Sequence, residues 1–249
     1  MKIECNDGGH GARFFCNISN SWHPMKVFMT NNHVLNREDI SIGKKIKFTI
    51  NNDKINYEIQ IDEARKIYTD EKYDITIIEI KENDKLEEIS FFDIDERIFN
   101  ENFNKTFKNM QIYILHYPKG NKLEYSIGLI QGINEDNYTI RHLCDNSSGS
   151  SGGAIINTIN FQVIGIHKGG SEGAKNYNLG TLLKEPLEKF NKKENNKYKK
   201  KNIIKMKKND KNINLSAFTI EISQSLVKLY YFQKRPKQLI MKNKMLIII

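Results

Sequence analysis

The residues with the clearest chemical potential lie at positions 149–153, which read Gly-Ser-Ser-Gly-Gly. A serine nucleophile needs two backbone N–H groups turned towards one point, where they stabilise the oxyanion of a tetrahedral intermediate. Glycine at Gly149 permits the backbone torsions that such a turn requires. A flexible linker is the alternative interpretation, because residues 146–151 are rich in serine. Apolar segments close by on both sides favour a fixed turn with Ser151 as the nucleophile.

Two further positions would complete a proton relay for this serine. His33 follows the apolar stretch 27–29, and a general base needs such rigid placement beside a cleft. Asp74 opens the β-branched run 75–78, where a buried carboxylate would accept from the histidine and select its tautomer. Plainer interpretations remain: a surface or core histidine for His33, and a turn residue for Asp74, with Asp70 as a nearby competitor.

The order histidine, aspartate, serine is also that of a known family. Five blocks carry this resemblance: GGHGARFF at 8–15, TNNHVL at 30–35, YDITII at 73–78, GSSGGA at 149–154 and VIGIHKGG at 163–170. Together they resemble the trypsin-like, or chymotrypsin-like, serine peptidases over roughly residues 3–190. Within that family they are most similar to the bacterial glutamyl endopeptidase branch and to related trypsin-like domains of protists and bacteria.

The resemblance implies an all-β fold of two six-stranded antiparallel β-barrels with the active site between them. The first barrel would span about residues 1–95 and the second about residues 105–185. His33 and Asp74 would lie in the first barrel and Ser151 in the second. A short C-terminal helix and a basic low-complexity tail would follow.

The resemblance further implies a serine endopeptidase that hydrolyses polypeptide substrates through an acyl-enzyme intermediate. The backbone N–H groups of Gly149 and Ser151 would form its oxyanion hole, and neither a metal nor an organic cofactor would be required. Two positions depart from the family pattern. Arg13 stands where glycine is common, and Ser150 stands where many members have aspartate or asparagine.

Three residues bear on which side chain the enzyme would accept before the scissile bond. Asp145 lies where the resemblance places the carboxylate that binds Arg or Lys in trypsins. His167 lies where glutamyl endopeptidases carry the histidine that binds a glutamate, and His142 offers a second imidazole near the same wall. The register of the strand around His167 is firmer than a count across the loop to Asp145. The sequence therefore favours acidic or polar residues over basic ones.

Short segments of alternating or continuous apolar character predict the strands that must position these residues. The predicted strands are 13–18, 26–30, 45–50, 56–61, 74–80, 111–115, 125–130, 138–141, 154–156 and 163–166. Many short strands separated by turns are typical of an all-β sandwich or barrel. One helix is predicted over residues 182–190.

Charge divides the chain of 249 residues into two parts. Residues 191–249 hold 16 basic and 3 acidic side chains, whereas residues 1–190 hold 23 basic and 27 acidic ones. The stretch 191–201 is nearly all Lys and Asn and cannot bury enough apolar surface to fold alone. We interpret 1–190 as the peptidase domain and the remainder as a linker and tail of unassigned role.

Two alternative functions stay open at this stage. A catalytically silent relative would bind peptides in the same cleft without hydrolysing them. A nucleic-acid-binding protein would act through the basic tail, since clustered lysines attract phosphates. Labelling with a serine-directed fluorophosphonate distinguishes the first from an active enzyme.

Composition also bears on location. The polar N-terminus has no apolar stretch typical of a signal peptide, and the sequence has no apolar run long enough to span a membrane. Three cysteines form an odd set without zinc-site spacing, which favours free thiols in a reducing compartment. The expectation is a cytoplasmic protein.

Overall fold

The structure is a computed structural model that describes residues 2–4, 10–19, 24–50, 55–86, 89–120, 122–171 and 176–192. The predicted linker and tail lie outside these residues, apart from their first two positions. The described residues form fifteen strands with few helices, so the prediction of a mostly β chain is confirmed.

The first nine strands belong to the N-terminal half. They are β1 (Lys2–Glu4), β2 (His10–Ala12), β3 (Phe14–Ser19), β4 (Pro24–Thr30), β5 (Lys45–Ile50), β6 (Ile55–Gln60), β7 (Ile67–Asp70), β8 (Ile75–Glu79) and β9 (Phe92–Asp93). They build a four-stranded sheet in the order β2-β1-β5-β6 and a five-stranded sheet in the order β7-β8-β4-β3-β9. Over the described residues this half is therefore two sheets, where a single closed barrel was expected.

Arg13 stands at the junction between these two sheets, since it alone separates β2 from β3. Its side chain is buried, and its guanidinium carbon lies 4.1 Å from the ring centroid of Phe48 and 5.7 Å from that of Phe28. The guanidinium also donates to the carbonyl of Thr49 at 3.0 Å. Phe48 belongs to one sheet and Phe28 to the other, so Arg13 fills the space between them.

The C-terminal half forms a closed six-stranded barrel, as expected for this half. Its strands are β10 (Gln111–His116), β11 (Glu124–Ile133), β12 (Thr139–His142), β13 (Ala154–Asn157), β14 (Val163–Gly170) and β15 (Asn178–Leu182). All its neighbouring strands are antiparallel, in the order β10-β11-β12-β15-β14-β13. Fully buried isoleucines, among them Ile112, Ile140 and Ile155, fill its interior.

Helices occupy the connections and the end of the described chain. Helix α1 (Phe103–Phe107) lies between the halves in sequence, and helix α2 covers residues 184–192. The predicted helix at 182–190 starts too early, because Leu182 still pairs with Gly165 in the barrel. None of the described helices is both long and apolar enough to cross a bilayer.

The two halves pack against each other through polar as well as apolar contacts. Phe190 of α2 packs edge-on against Tyr68 of β7, with ring centroids 6.4 Å apart. Thr181 of β15 donates to the carbonyl of Tyr73 at 2.7 Å, and the hydroxyl of Tyr73 donates to Glu185. Because both bonds are made by Tyr73, the residue next to Asp74, they hold the Asp74 turn against the C-terminal half.

Candidate active site

His33 lies in a tight turn directly after strand β4. The carbonyl of Asn31 accepts from the N–H groups of Val34 and Leu35 at 3.2 and 3.1 Å, which closes this turn. The Asn31 amide donates to the carbonyl of Asp74 at 2.8 Å. One side chain therefore ties the histidine turn to the aspartate turn.

Asp74 ends a second turn, one residue before β8, rather than opening the strand as the sequence predicted. Its φ of 49° lies in the left-handed region, which few residues other than glycine, asparagine and aspartate adopt. This conformation directs the carboxylate back towards the histidine turn. The Asp74 side chain is largely buried, with 14% of it exposed, whereas half of the His33 side chain is exposed.

The carboxylate of Asp74 holds both the ring and the backbone of His33. Oδ2 lies 2.8 Å from Nδ1 of His33, and Oδ1 accepts the backbone N–H of His33 at 3.0 Å. An ionised carboxylate only accepts, so Nδ1 must carry the proton of the neutral imidazole. Nε2 is then left unprotonated and is able to accept a proton.

Asp70, the competitor in the sequence, has a different role. Its Oδ1 accepts the backbone N–H of Lys72 at 3.0 Å, and its Oδ2 accepts the hydroxyl of Tyr68 at 2.8 Å. It therefore caps the turn that leads to Asp74. Within the described part of the chain, no hydrogen bond joins Asp70 to His33.

The serine loop approaches the end of β4 from the C-terminal barrel. Ser151 accepts the backbone N–H of Ala12 at 2.7 Å through its carbonyl. At Gly152 a Cβ atom would lie 2.0 Å from the Ala12 carbonyl oxygen and 2.7 Å from Oγ1 of Thr30, and φ there is +87°. Only glycine fits this close approach. Since Thr30 lies three residues before His33, the loop lies beside the histidine turn.

Two backbone N–H groups in this loop are available to a ligand. Gly149 has a φ of 90°, as the oxyanion turn predicted from the sequence requires. Within the described residues, neither the N–H of Gly149 nor that of Ser151 donates to a protein acceptor. Both belong to buried or half-buried residues at the tip of the turn. Two such donors can stabilise a negatively charged oxygen.

The hydroxyl of Ser151 points to the adjacent strand in this structure. Oγ donates to the carbonyl of Lys168 in β14 at 3.0 Å. Over the described residues it makes no hydrogen bond to His33. The loop contacts Ala12 and the Thr30 side chain, and the hydroxyl of Ser151 is directed to β14.

A chain of buried polar groups forms the wall beside the serine loop. The backbone N–H of Cys144 donates to Nδ1 of His142 at 3.3 Å, and Nε2 of His142 lies 3.1 Å from Nδ1 of His167. Nε2 of His167 lies 3.4 Å from the amide of Asn146. Both histidines are fully buried. The structure therefore brings His142 and His167 together, as the sequence anticipated for this wall.

Burial keeps both imidazoles uncharged. It lowers the pKa of His142 to about 4, while a backbone hydrogen bond with Leu179 acts in the opposite direction. Burial, reinforced by the neighbouring His142, lowers the pKa of His167 to about 3. Because a neutral ring has one N–H and one lone pair, the contact from Cys144 assigns the protons. With this assignment His142 carries its proton on Nε2 and donates to His167, whose own proton is then on Nε2. Nδ2 of Asn146, 3.4 Å away, is also a donor, so the Asn146 amide must turn its oxygen towards His167 to accept this proton.

Asp145 does not take the place in this wall that the trypsin comparison assigns to it. Its side chain is exposed, and no hydrogen bond in the described residues joins it to His167. Two amides that the sequence analysis missed are present instead. Asn178 donates to the carbonyl of Cys144 at 2.6 Å, and Asn146 contacts His167. Single asparagines carry no sequence pattern that would have identified them.

The arrangement of the described side chains also bears on metal binding. In the described residues no group of three or more His, Cys, Asp or Glu side chains is placed to hold a metal ion.

Solved structures share this fold. Rv3671c from M. tuberculosis H37Rv, the inactive form of a serine-to-alanine mutant, matches with a TM-score of 0.54 at 17% identity, over 77% of this chain and 84% of that one. The HtrA-type protease AlgW with a tripeptide matches with a TM-score of 0.52 at 16% identity, over 75% of this chain and 56% of that one. Such low identities demonstrate a common fold and nothing more.

Sequence comparison is more informative about the family. No curated protein matches the chain significantly. Residues 15–166, however, match the trypsin-like peptidase domain, and this match covers more than half of the chain. It includes the His33 turn, the Asp74 turn and the loop at Ser151. This chain therefore belongs to the trypsin-like peptidase domain family.

Proposed function

We propose that the protein is a serine endopeptidase in which Ser151, His33 and Asp74 act as a catalytic triad. Ser151 attacks the scissile carbonyl while Nε2 of His33 takes its proton and later passes it to the leaving amine. Asp74 keeps the proton of the neutral ring on Nδ1 and stabilises the imidazolium. The N–H groups of Gly149 and Ser151 bind the developing oxyanion, and water then hydrolyses the acyl-enzyme.

The observation that carries this proposal is the pair of hydrogen bonds between the Asp74 carboxylate and His33. One carboxylate accepts both the ring Nδ1 at 2.8 Å and the backbone N–H at 3.0 Å, which leaves Nε2 as a base. The loop with two uncommitted N–H groups packs against Ala12 and Thr30, and Thr30 is the last residue of the strand that leads into the His33 turn. A base, an orienting carboxylate, a serine and two donors are the parts that acyl transfer needs.

A fluorophosphonate probe tests this proposal directly. We expect stoichiometric labelling of the purified chain, with mass spectrometry locating the adduct on Ser151. Peptide hydrolysis should disappear in parallel with labelling. A folded protein that neither labels nor hydrolyses any member of a peptide library would contradict the assignment.

A catalytically silent, peptide-binding relative is the second candidate, and the orientation of Ser151 favours it. The bond from Oγ to the Lys168 carbonyl holds the hydroxyl away from the base. A single hydrogen bond contributes only about 1 kcal/mol, so χ1 rotation on substrate binding would suffice for activity. Peptide binding without labelling would identify the silent form.

For the residue before the scissile bond, we propose a preference for acidic or polar side chains, as in glutamyl endopeptidases. The assigned protons make Nε2 of His167 an uncharged N–H donor facing Asn146. Such a donor can bind a carboxylate or an amide oxygen of the substrate. Asp145, whose carboxylate would be needed for Arg or Lys, is exposed instead.

Substrates that differ only at this position test the preference. We expect kcat/KM to fall in the order Glu, Gln, Leu, Lys, and the advantage of Glu over Leu to vanish in His167→Ala. The loss should be about ten- to a hundredfold, the usual effect of one hydrogen bond to a charged group. Asp145→Asn is the matched control, with an unchanged order. A strong preference for Lys that disappears in Asp145→Asn would refute the proposal.

Removal of the basic tail is expected to leave catalysis intact. Every catalytic residue proposed above lies before residue 192, and residues 191–249 carry the 16 basic side chains noted above. A chain ending after Asn196 should hydrolyse peptides with kcat/KM within about twofold of the full chain. A lower melting temperature together with lost activity would instead show that the tail stabilises the domain. RNA binding that weakens steeply with salt, and that is seen for the full chain but not for the shortened one, would support a nucleic-acid role for the tail.

A further inference from the structure

A buried histidine–serine pair lies directly beneath the loop that carries Ser151. His116 is the last residue of strand β10, and its Nδ1 lies 2.6 Å from Oγ of Ser150. His116 is 4% exposed and Ser150 is 1% exposed. The same Oγ accepts the backbone N–H of Ser147 at 3.1 Å. The hydroxyl of Ser150 is therefore committed to the barrel and the loop, not to the cleft.

The neighbouring carbonyl groups determine where the two proposed oxyanion donors point. The backbone N–H of Lys119 donates to the carbonyl of Ser148 at 2.6 Å, and that of Gly153 donates to the carbonyl of Ser150 at 3.1 Å. In a trans peptide the C=O and the following N–H point in opposite directions. The N–H of Gly149 and that of Ser151 therefore point away from these two anchored carbonyls.

Gly149 and Ser150 together connect these two peptide planes, and Ser150 is the one of the two with a side chain that can be anchored. Its backbone links Gly149 to Ser151, so a displacement of Ser150 would rotate both N–H groups at once. Its side chain is tied to His116, which pairs within a strand of the closed barrel. A regular strand moves less than a loop, so the pair transmits the rigidity of the barrel to the loop. Burial lowers the pKa of His116, so the pair is neutral and needs no counter-charge.

We infer that His116 is a positioning residue which, through Ser150, holds the N–H groups of Gly149 and Ser151 in the geometry that binds the oxyanion. The inference rests on the proposed peptidase function, because it concerns the transition state of that reaction. It also gives a role to Ser150 at a position where many family members carry aspartate or asparagine. Both members of the His116–Ser150 contact belong to the C-terminal half of the chain.

Kinetics of His116 variants test the inference. In His116→Ala we expect kcat to fall about ten- to a hundredfold, somewhat less than the loss of an entire oxyanion donor, with KM changed less than about twofold. Affinity for a peptide trifluoromethyl ketone, which forms a tetrahedral adduct, should fall in parallel. His116→Asn should recover most of kcat, since its amide reaches the position of Nδ1. His116→Gln, whose amide reaches the position of Nε2, should not.

Ser150→Ala supplies a second, smaller perturbation, in case His116→Ala fails to fold. It removes one oxygen and should lower kcat as much as His116→Ala does, and the double variant should be no worse than either. Ser148→Ala is the control, because its side chain is exposed. Unchanged kcat in folded His116→Ala and Ser150→Ala would overturn the inference. Failure of the proposed function is distinguishable, because the unaltered protein would then show neither hydrolysis nor labelling.

Discussion

Ser151→Ala is expected to lower kcat by about 10⁶-fold while leaving the melting temperature within a few degrees of the original. Neighbouring serines cannot take over as the nucleophile. Because the members of a triad act together, removal of the nucleophile eliminates nearly all of the catalytic activity. The fold should survive because, among the described residues, the Oγ of Ser151 bonds only to the Lys168 carbonyl. Fluorogenic peptide hydrolysis and thermal unfolding measure the two quantities.

Ser148→Ala is the matched control for this experiment. It removes the same atom three residues earlier in the same loop, from a side chain that is exposed. Its kcat should stay within about twofold of the original. An Ser151→Ala protein that retained more than a tenth of the activity would show that another residue is the nucleophile.

Asp74→Asn is expected to lower kcat by about 10⁴-fold, as replacement of a triad aspartate does elsewhere. Asp74 accepts the backbone N–H of His33 with Oδ1 and the ring Nδ1 with Oδ2. An asparagine has a single oxygen, which the backbone N–H would keep. Its NH₂ group would then face Nδ1 and select the tautomer protonated on Nε2, which cannot act as a base.

Asp70→Asn is the control within the same turn. Its remaining oxygen can still accept from Lys72, and its NH₂ group can donate to the hydroxyl of Tyr68. We therefore expect kcat within about threefold of the original and a small change in melting temperature. If Asp70→Asn cost more activity than Asp74→Asn at equal stability, the assigned roles of the two carboxylates would have to be exchanged.

Most of the strands that position the site could be predicted because their signal is local. Alternating residues identified the whole of β5 and nearly all of β6, and continuous apolar runs identified β4 and β8. Strand β15 was missed, because Asn178–Leu182 has a glycine and a threonine in its interior and is short. Its place in the barrel depends on pairing with β12 and β14, which no local pattern records.

The details of the site that escaped prediction are all contacts between distant segments. His116 meets Ser150 across 34 residues, and Arg13 donates to Thr49 across 36. Neither pair shares a periodic pattern that would have linked its members. For Asp145 the sequence could give only a position, since a count along a loop does not determine the direction of a side chain. His167 was easier to place because strand register determines which face a residue occupies.

The close contact between Ala12 and the serine loop has a consequence for how substrates enter. The Ala12 N–H binds the Ser151 carbonyl at 2.7 Å, and the approach at Gly152 leaves no room for a Cβ. A hinge motion that separated the two halves would have to break this bond next to Ser151. We therefore expect the two halves to stay together when a substrate binds.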